Sequence, residues 1–415
     1  MFHRRHLLSC LLLIFFFSNL FPVYGVTGNK GSYPKTTGKA VILIDASSGR
    51  VIYGKNIHKH LPPASVTKIM TALLVIEKGD LDQKVKISSH AAGTPESSVW
   101  LEAGEKLTRE QLLYALLLNS ANDSAIALAE SVAGSEKNFV KLMNQRAGLL
   151  GMKDSHFLNP HGLHASGHFT SAYDLALLSR QAMNSVTFRR VVSTKTHHIP
   201  WAGRDYDRLL INHNRLLWKY KNAVGIKTGY TKPAGNCLVG AAKKGSLVLI
   251  AVTLNSTHGY QDAEQMFDYG FAHYHIKTLK PARQLSVAVP VQNGQITKIQ
   301  ARPETDLAIA VSDKEESSLS YALYPLDQVT APVKKNQTVG YCKIFIAGHE
   351  AERIKLLACS SVAEKTPFLA RFKAACLAVV KFILKALLII FICMYAIRII
   401  NLRRQRKRRS DLRKK

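Results

Sequence analysis

Residues 61–70 read Leu61-Pro62-Pro63-Ala64-Ser65-Val66-Thr67-Lys68-Ile69-Met70. The two prolines halt what precedes them, and Ser65 stands where a helix can start. Apolar residues continue to Ile76 and Gly79-Asp80 supplies a stop, so the pattern predicts a helix from Ser65 through Ile76. A helix puts residues three apart on one face, which brings the Lys68 amine within reach of the Ser65 hydroxyl. Serine is a weak nucleophile until a base takes its proton. The helix N-terminus adds positive potential that favours a neutral amine and a developing negative charge. Taken alone, Ser-x-x-Lys is equally a helix N-cap followed by a solvated lysine.

The flanking sequence predicts the fold around this stretch. Ala40 to Asp45 and Val51 to Gly54 read as two strands joined by the turn Ser47-Ser48-Gly49-Arg50, after a flexible lead-in over 26–37. Helical patterns follow at 108–118 with Thr108 as N-cap, at 121–132 closed by Gly134, at 135–150 with Gly151 at the cap position, and at 171–183. Asn159-Pro160-His161-Gly162-Leu163 is a loop. Strand patterns return at 225–228, 237–242 and 247–254, with Lys243-Lys244-Gly245-Ser246 as a turn and a helix over 261–270. Strands at both ends and helices between predict an α+β domain over 26–279. Its expected form is a mixed sheet packed by helices, with first and last strands adjacent. The composition breaks near Lys280-Pro281. Short Val/Ile/Leu runs separated by Asn-Gly and Pro then predict a small β-rich domain over 280–365.

The chain has 415 residues, 47% hydrophobic, enough for one large domain and a smaller one. Its formal net charge of +29 fits a basic surface or an anionic partner such as nucleic acid, anionic lipid or an acidic wall polymer. His3, Arg4, Arg5 and His6, the apolar run Leu7 to Phe17 and Val23-Tyr24-Gly25 form the pattern of a signal peptide over 1–25, with an uncleaved anchor as the alternative. Either one exports the body of the chain, which argues against nucleic acid. At the other end, Phe382 to Ile400 is apolar apart from Lys385 and Arg398. It predicts a membrane helix within 366–402, followed by a basic cytoplasmic tail over 403–415. An amphipathic helix lying in the interface, with Arg371, Lys373, Lys381 and Lys385 on one face, is the competing form. Cys237, Cys342 and Cys359 lack metal-ligand spacing, so no metal or cofactor is expected. Cys342 and Cys359 read either as a disulfide or as small buried hydrophobes.

Two later motifs change the reading of Ser65. Ser120-Ala121-Asn122 falls at a junction of two helices, and Lys227-Thr228-Gly229 falls on a strand. Ser-x-x-Lys, Ser-Asp-Asn and Lys-Thr-Gly are the three-part signature of penicillin-binding proteins and class A β-lactamases. The order here matches, with Ala121 standing where that signature has Asp. Leu118-Asn119-Ser120-Ala121-Asn122-Asp123, Thr170-Ser171-Ala172-Tyr173-Asp174-Leu175 and Gly225-Ile226-Lys227-Thr228-Gly229-Tyr230-Thr231 extend the likeness. Over roughly residues 38–365 the chain resembles the low-molecular-weight penicillin-binding proteins, the serine D-Ala-D-Ala carboxypeptidases.

The resemblance implies a β-lactamase/transpeptidase-like domain with an antiparallel sheet, an added β domain and a membrane anchor. The catalytic domain would face the periplasmic side of a bacterial inner membrane. It implies that Ser65 attacks the carbonyl between two D-alanines of a peptidoglycan stem peptide and that β-lactams acylate the same serine. Lys68 would be the general base, and Ser120 a proton relay to the leaving amine. Asn122 would orient the substrate amide and Lys68, and Lys227 and Thr228 would bind the substrate carboxylate. The N–H groups of Ser65 and Tyr230 would form the oxyanion hole, and Gly229 would let the substrate lie along the strand. One departure lies in Ser256-Thr257-His258-Gly259-Tyr260-Gln261-Asp262: Gly259 stands where the family often has an Arg that helps bind the terminal carboxylate. His258 and Lys232 are the candidates to replace it. A class A β-lactamase also needs a Glu to activate the hydrolytic water. The segment 159–170 has no Glu or Asp, so a β-lactam is expected to remain bound. Endopeptidase or transpeptidase action at the same serine, and a noncatalytic wall-binding protein, are the remaining alternatives. His161 reads as a second base or, preferably, as a side chain that steadies its loop.

Overall fold

The computed structural model describes residues 33–365 and 368–412; the expected signal peptide lies outside the described residues. Strands β1 (Ala40–Asp45) and β2 (Val51–Lys55) form the expected hairpin. A 3₁₀ turn over Ala64–Thr67 leads into helix α1 (Lys68–Lys78). Helices α2 (Arg109–Leu118), α3 (Asn122–Ala133), α4 (Glu136–Leu149), α5 (Ala172–Met183) and α6 (Val186–Ser193) follow. The chain then returns through β3 (Ala223–Thr231), β4 (Gly235–Lys244) and β5 (Leu247–Ser256), and α7 (Gly259–His273) closes the unit.

The sheet order is β2-β1-β5-β4-β3, so the first and last strands are neighbours, as the sequence predicts. Every pairing in it is antiparallel. The expectation of a mixed sheet is therefore corrected: β3, β4 and β5 are joined by short turns, which can link only antiparallel strands. Both sheet faces are buried, and side chains alternate between them along each strand. On β1, Ala40, Ile42 and Ile44 join the core under α1 to α6, whereas Val41 and Leu43 join Met266 and Phe267 of α7. This two-sided burial explains why the strands read as unbroken apolar runs.

Several helix ends follow local chemistry. Thr108 caps α2 with a capping box to Gln111, Ser135 caps α4, and Ser171 caps α5. Gly134 ends α3 in the left-handed conformation. The predicted helix start at Ser65 is corrected. The first turn is 3₁₀ and the α-helix begins at Lys68, because Ala64 is held at φ 51° by the loop packed against it.

A second apolar core gathers around a six-stranded sheet. In spatial order its strands are Leu319–Pro325, Thr338–Ile346, His349–Ala358, Lys298–Pro303, Val287–Gln292 and Val329–Thr330. Strand His275–Lys280, on the near side of the Lys280-Pro281 break, pairs with Leu307–Val311. Arg50 in the β1–β2 turn donates to the Glu315 carboxylate and the Ala310 carbonyl, tying the two units together. Cys342 and Cys359 are both free thiols, Cys342 fully buried, which fits the small-hydrophobe reading. The last helix, α8 (Phe368–Leu412), contains a 30-residue segment, Ala375–Arg404, of mean hydropathy 2.7. It is long and apolar enough to cross a bilayer.

Candidate active site

The 3₁₀ turn presents Ser65 beside Lys68, whose side chain is fully buried. Lys68 Nζ lies 3.1 Å from Ser65 Oγ, 2.7 Å from Asn122 Oδ1 and 2.6 Å from the His161 carbonyl oxygen. The last two partners can only accept. A neutral amine has two N–H bonds, enough for both, and its lone pair is then left for the Ser65 hydroxyl proton. The surroundings favour that neutral form. Burial pushes the Lys68 pKa well below the usual lysine range, and the nearby Lys227 ammonium pushes it further down.

Each partner of Lys68 is itself fixed. Asn122 opens α3; its Nδ2 donates to the Pro95 carbonyl at 2.8 Å and its backbone N–H to the Ser97 carbonyl at 2.7 Å. The buried Asp123 carboxylate accepts from Ser98 Oγ and from the N–H groups of Val99, Leu101 and Ser124. That fastens loop 95–101 over the start of α3. Ala121, in place of the signature Asp, packs its methyl into the main core. Ser120 is almost fully buried in the turn before it, at φ 61°.

The Asn159–Leu163 loop packs against the turn that carries Ser65. Asn159 accepts from the Gly162 N–H at 2.6 Å and donates to the Leu163 carbonyl at 2.9 Å. The Pro160 carbonyl accepts from Thr71 Oγ1 at 2.6 Å. Gly162 sits at φ 90°, and a Cβ there would lie 2.0 Å from the Ala64 oxygen, so only glycine fits. The His161 ring accepts from the Leu163 N–H at 3.2 Å, and burial lowers its pKa to about 3. One ring nitrogen is thus occupied within its own loop, which suits a loop-steadying side chain. Burial also lowers His168 to about 4, and its ring meets Thr67 Oγ1 at 3.1 Å.

Strand β3, at the sheet edge, passes directly in front of Ser65. A Cβ on Gly229 would lie 2.7 Å from the Ser65 nitrogen. Lys227 is buried on this strand and donates to the Thr228 carbonyl at 3.1 Å; burial lowers its pKa to about 7. Thr228 is half-buried, and Tyr230 is exposed at the strand's end. Gly259 begins α7, buried, with Thr253 Oγ1 3.1 Å from where its Cβ would stand. His258 bonds Thr257 Oγ1 at 2.9 Å, and Lys232 is exposed in the β3–β4 turn.

The site thus draws together Ser65, Lys68 and Asn122 by direct contact and brings β3 against them. Sequence reasoning missed three supports: the His161 carbonyl on Lys68, the Asp123 anchor and the Gly162 packing under Ala64. The Asp at a helix start and the Gly within Asn-Pro-His-Gly were the available signals. Among the described residues no group of three or more His, Cys, Asp or Glu is disposed to hold a metal ion.

A serine beside a buried lysine at a helix start, facing an edge strand, is the arrangement expected of a serine acyl-transfer site of the penicillin-recognising class. A family model described as D-alanyl-D-alanine carboxypeptidase matches residues 27–258, and one described as penicillin-binding protein 5, C-terminal domain, matches residues 276–364. The chain is 35% identical to the D-alanyl-D-alanine carboxypeptidase DacF of Bacillus subtilis over 73% of its own length and 80% of that protein's. It is 31% identical to DacC of Escherichia coli over 80% and 86%. The crystal structure of the D-alanyl-D-alanine carboxypeptidase DacD from Francisella tularensis superposes with a TM-score of 0.60 at 27% identity, covering 81% of this chain and 97% of that one. The chain belongs to the D-alanyl-D-alanine carboxypeptidase family.

Proposed function

We propose that this protein removes the terminal D-alanine from peptidoglycan stem pentapeptides through an acyl-enzyme on Ser65. The observation that carries the reading is the Lys68 amine, held by two pure acceptors and 3.1 Å from Ser65 Oγ. Lys68 takes the hydroxyl proton as Ser65 attacks the carbonyl between the two D-alanines. The oxyanion forms between the N–H groups of Ser65 and Tyr230. As the tetrahedral centre collapses, the proton passes through Ser120 to the leaving amine and free D-alanine departs. Water, deprotonated by Lys68, then attacks the ester and restores Ser65 as the shortened peptide leaves. Lys227 and Thr228 hold the terminal carboxylate, Asn122 holds the substrate amide, and the substrate backbone lies along β3 as an added strand.

We assign residues 1–25 as signal peptide, 26–279 as catalytic domain, 280–365 as the small β domain, 366–402 as anchor and 403–415 as cytoplasmic tail. The catalytic domain then faces the periplasmic side of the inner membrane, where its substrate is. β-Lactams acylate Ser65 and stay bound, since the Asn159–Thr170 segment has no carboxylate to activate water. The test is mass spectrometry of a stem pentapeptide incubated with the detergent-solubilised full chain. The loss of one alanine is expected, and abolished by Ser65→Ala. Cleavage of cross-linked dimers without alanine release would move the assignment to an endopeptidase.

A further inference from the structure

Tethered to the Asn119–Asp123 segment stands an aromatic group that the proposed reaction does not use. Trp100 is 69% exposed and held at φ 53°, an uncommon backbone for a bulky residue. Its ring stacks at 12° on Trp201, centroids 6.5 Å apart, and Tyr206, 57% exposed, meets Trp201 edge-on at 5.7 Å. The Arg208 guanidinium lies 4.9 Å from the Trp201 ring centroid, while its charge is engaged by the buried Glu105 carboxylate at 2.6 and 2.9 Å. Arg208 also donates to the Trp100 carbonyl at 3.0 Å. The exposed rings are therefore braced from beneath.

Both halves of this ledge are fastened to the segment that carries the site. The Val99 and Leu101 N–H groups, on either side of Trp100, donate to Asp123, the neighbour of Asn122. The hairpin Thr196–Ile199/Arg208–Ile211, whose connecting loop carries Trp201 and Tyr206, is held by the Ile211 N–H donating to Asn119, the neighbour of Ser120. Exposing two rings and holding a tryptophan at positive φ both cost stability, and a buried ion pair maintains the arrangement.

We propose that this ledge is a saccharide subsite that stacks on sugar rings of the glycan strand bearing the stem peptide. The proposal rests on the peptidase reading above, since that substrate is a peptide carried on sugar. Aromatic faces carry negative quadrupole potential and attract the C–H face of a pyranose ring. The Tyr206 hydroxyl and the Arg204 guanidinium, 5.8 Å from the Trp201 ring centroid, offer hydrogen-bonding groups at the rim. Two rings flanked by charge suit a sugar better than a protein partner, which needs an apolar patch of roughly several hundred Å².

The test separates sugar binding from turnover. The full chain in detergent, acylated by penicillin, is titrated with a β-1,4-linked N-acetylglucosamine oligomer while tryptophan fluorescence is followed. Saturable binding is expected, weakened about tenfold or more by Trp100→Ala and by Tyr206→Ala, and largely kept by Trp100→Phe, because losing one stacked ring removes about 1.4 kcal/mol. Trp218→Phe, at an exposed tryptophan that meets Asn212 and Lys195 at the base of the hairpin and not the rings of the ledge, should bind as wild type. No saturable binding by wild type, or equal binding by the three ledge variants, overturns the proposal. A response to sugar-free stem peptide alone also overturns it. Penicillin labelling of the same samples reports the serine site separately, so failure of the peptidase reading shows there and not in the sugar titration.

Discussion

At the scale of a single residue the proposed base is Lys68, and burial pushes its pKa well below the usual lysine range. A fully buried amine with Asn122 and the His161 carbonyl as its acceptors has its lone pair free only when neutral. Lys68→Met keeps the apolar stem and removes the base. Penicillin acylation should fall by about 10²–10⁴, with the melting temperature unchanged or raised, because a desolvated amine is removed. Stopped-flow acylation and thermal unfolding check both halves. Lys227 gives the opposite pH limb. With its pKa near 7, it is charged below that pH and neutral above it. A substrate carboxylate needs the charged form, so KM should rise about tenfold per pH unit above 7. Lys227→Arg, charged throughout, should flatten that rise. Lys68 acts in the reverse sense, losing its lone pair as pH falls through its own lowered pKa. A KM flat from pH 6 to 9 in wild type would contradict the assignment of Lys227.

At the scale of elements, the site is a 3₁₀ turn wedged between a loop and an edge strand. Gly162→Ala drives a Cβ to 2.0 Å from the Ala64 oxygen at φ 90°. The expected result is a loss of at least about 2 kcal/mol of stability. Acylation should slow with it, because the Ser65 turn is displaced. Urea unfolding and acylation rates check this, and wild-type values for both would contradict the packing. These elements were unequally legible in the sequence. Caps and turns are local chemistry, so α2, α4, α5 and the β4–β5 turn could be read from Thr108, Ser135, Ser171 and Gly245. The 3₁₀ start at Ala64 could not, because a loop almost a hundred residues away imposes it. The His161 carbonyl was equally hidden, since a backbone acceptor has no signature of its own. The hairpin Thr196–Ile199/Arg208–Ile211 went unread because its strands are short and rich in His, Arg and Leu without clear alternation.

For the whole molecule, the arrangement is an acylation domain, a β domain and an apolar helix in series. The domain order was legible from where strands, helices and composition change; the antiparallel sheet followed only from the family likeness. No residue of the α8 segment Ala375–Arg404 is buried, which suits a helix that meets lipid. Truncation after Lys365 should release the protein into the soluble fraction, with penicillin labelling of Ser65 intact. Membrane fractionation with fluorescent penicillin reads both outcomes, and a truncated chain still sedimenting with membranes would show that another segment anchors it. The Arg50–Glu315 contact ties the two folded units at the β1–β2 hairpin, on the opposite sheet edge from β3.

The central claim is that Ser65 becomes acylated and that Lys68 activates it. The most direct measurement is peptide mass spectrometry of the full chain after brief exposure to penicillin. The expected result is one stable adduct of unfragmented penicillin mass on the peptide containing Ser65, absent in Ser65→Ala and strongly slowed in Lys68→Met. An adduct on another residue, or rapid turnover of penicillin with no adduct, would contradict it.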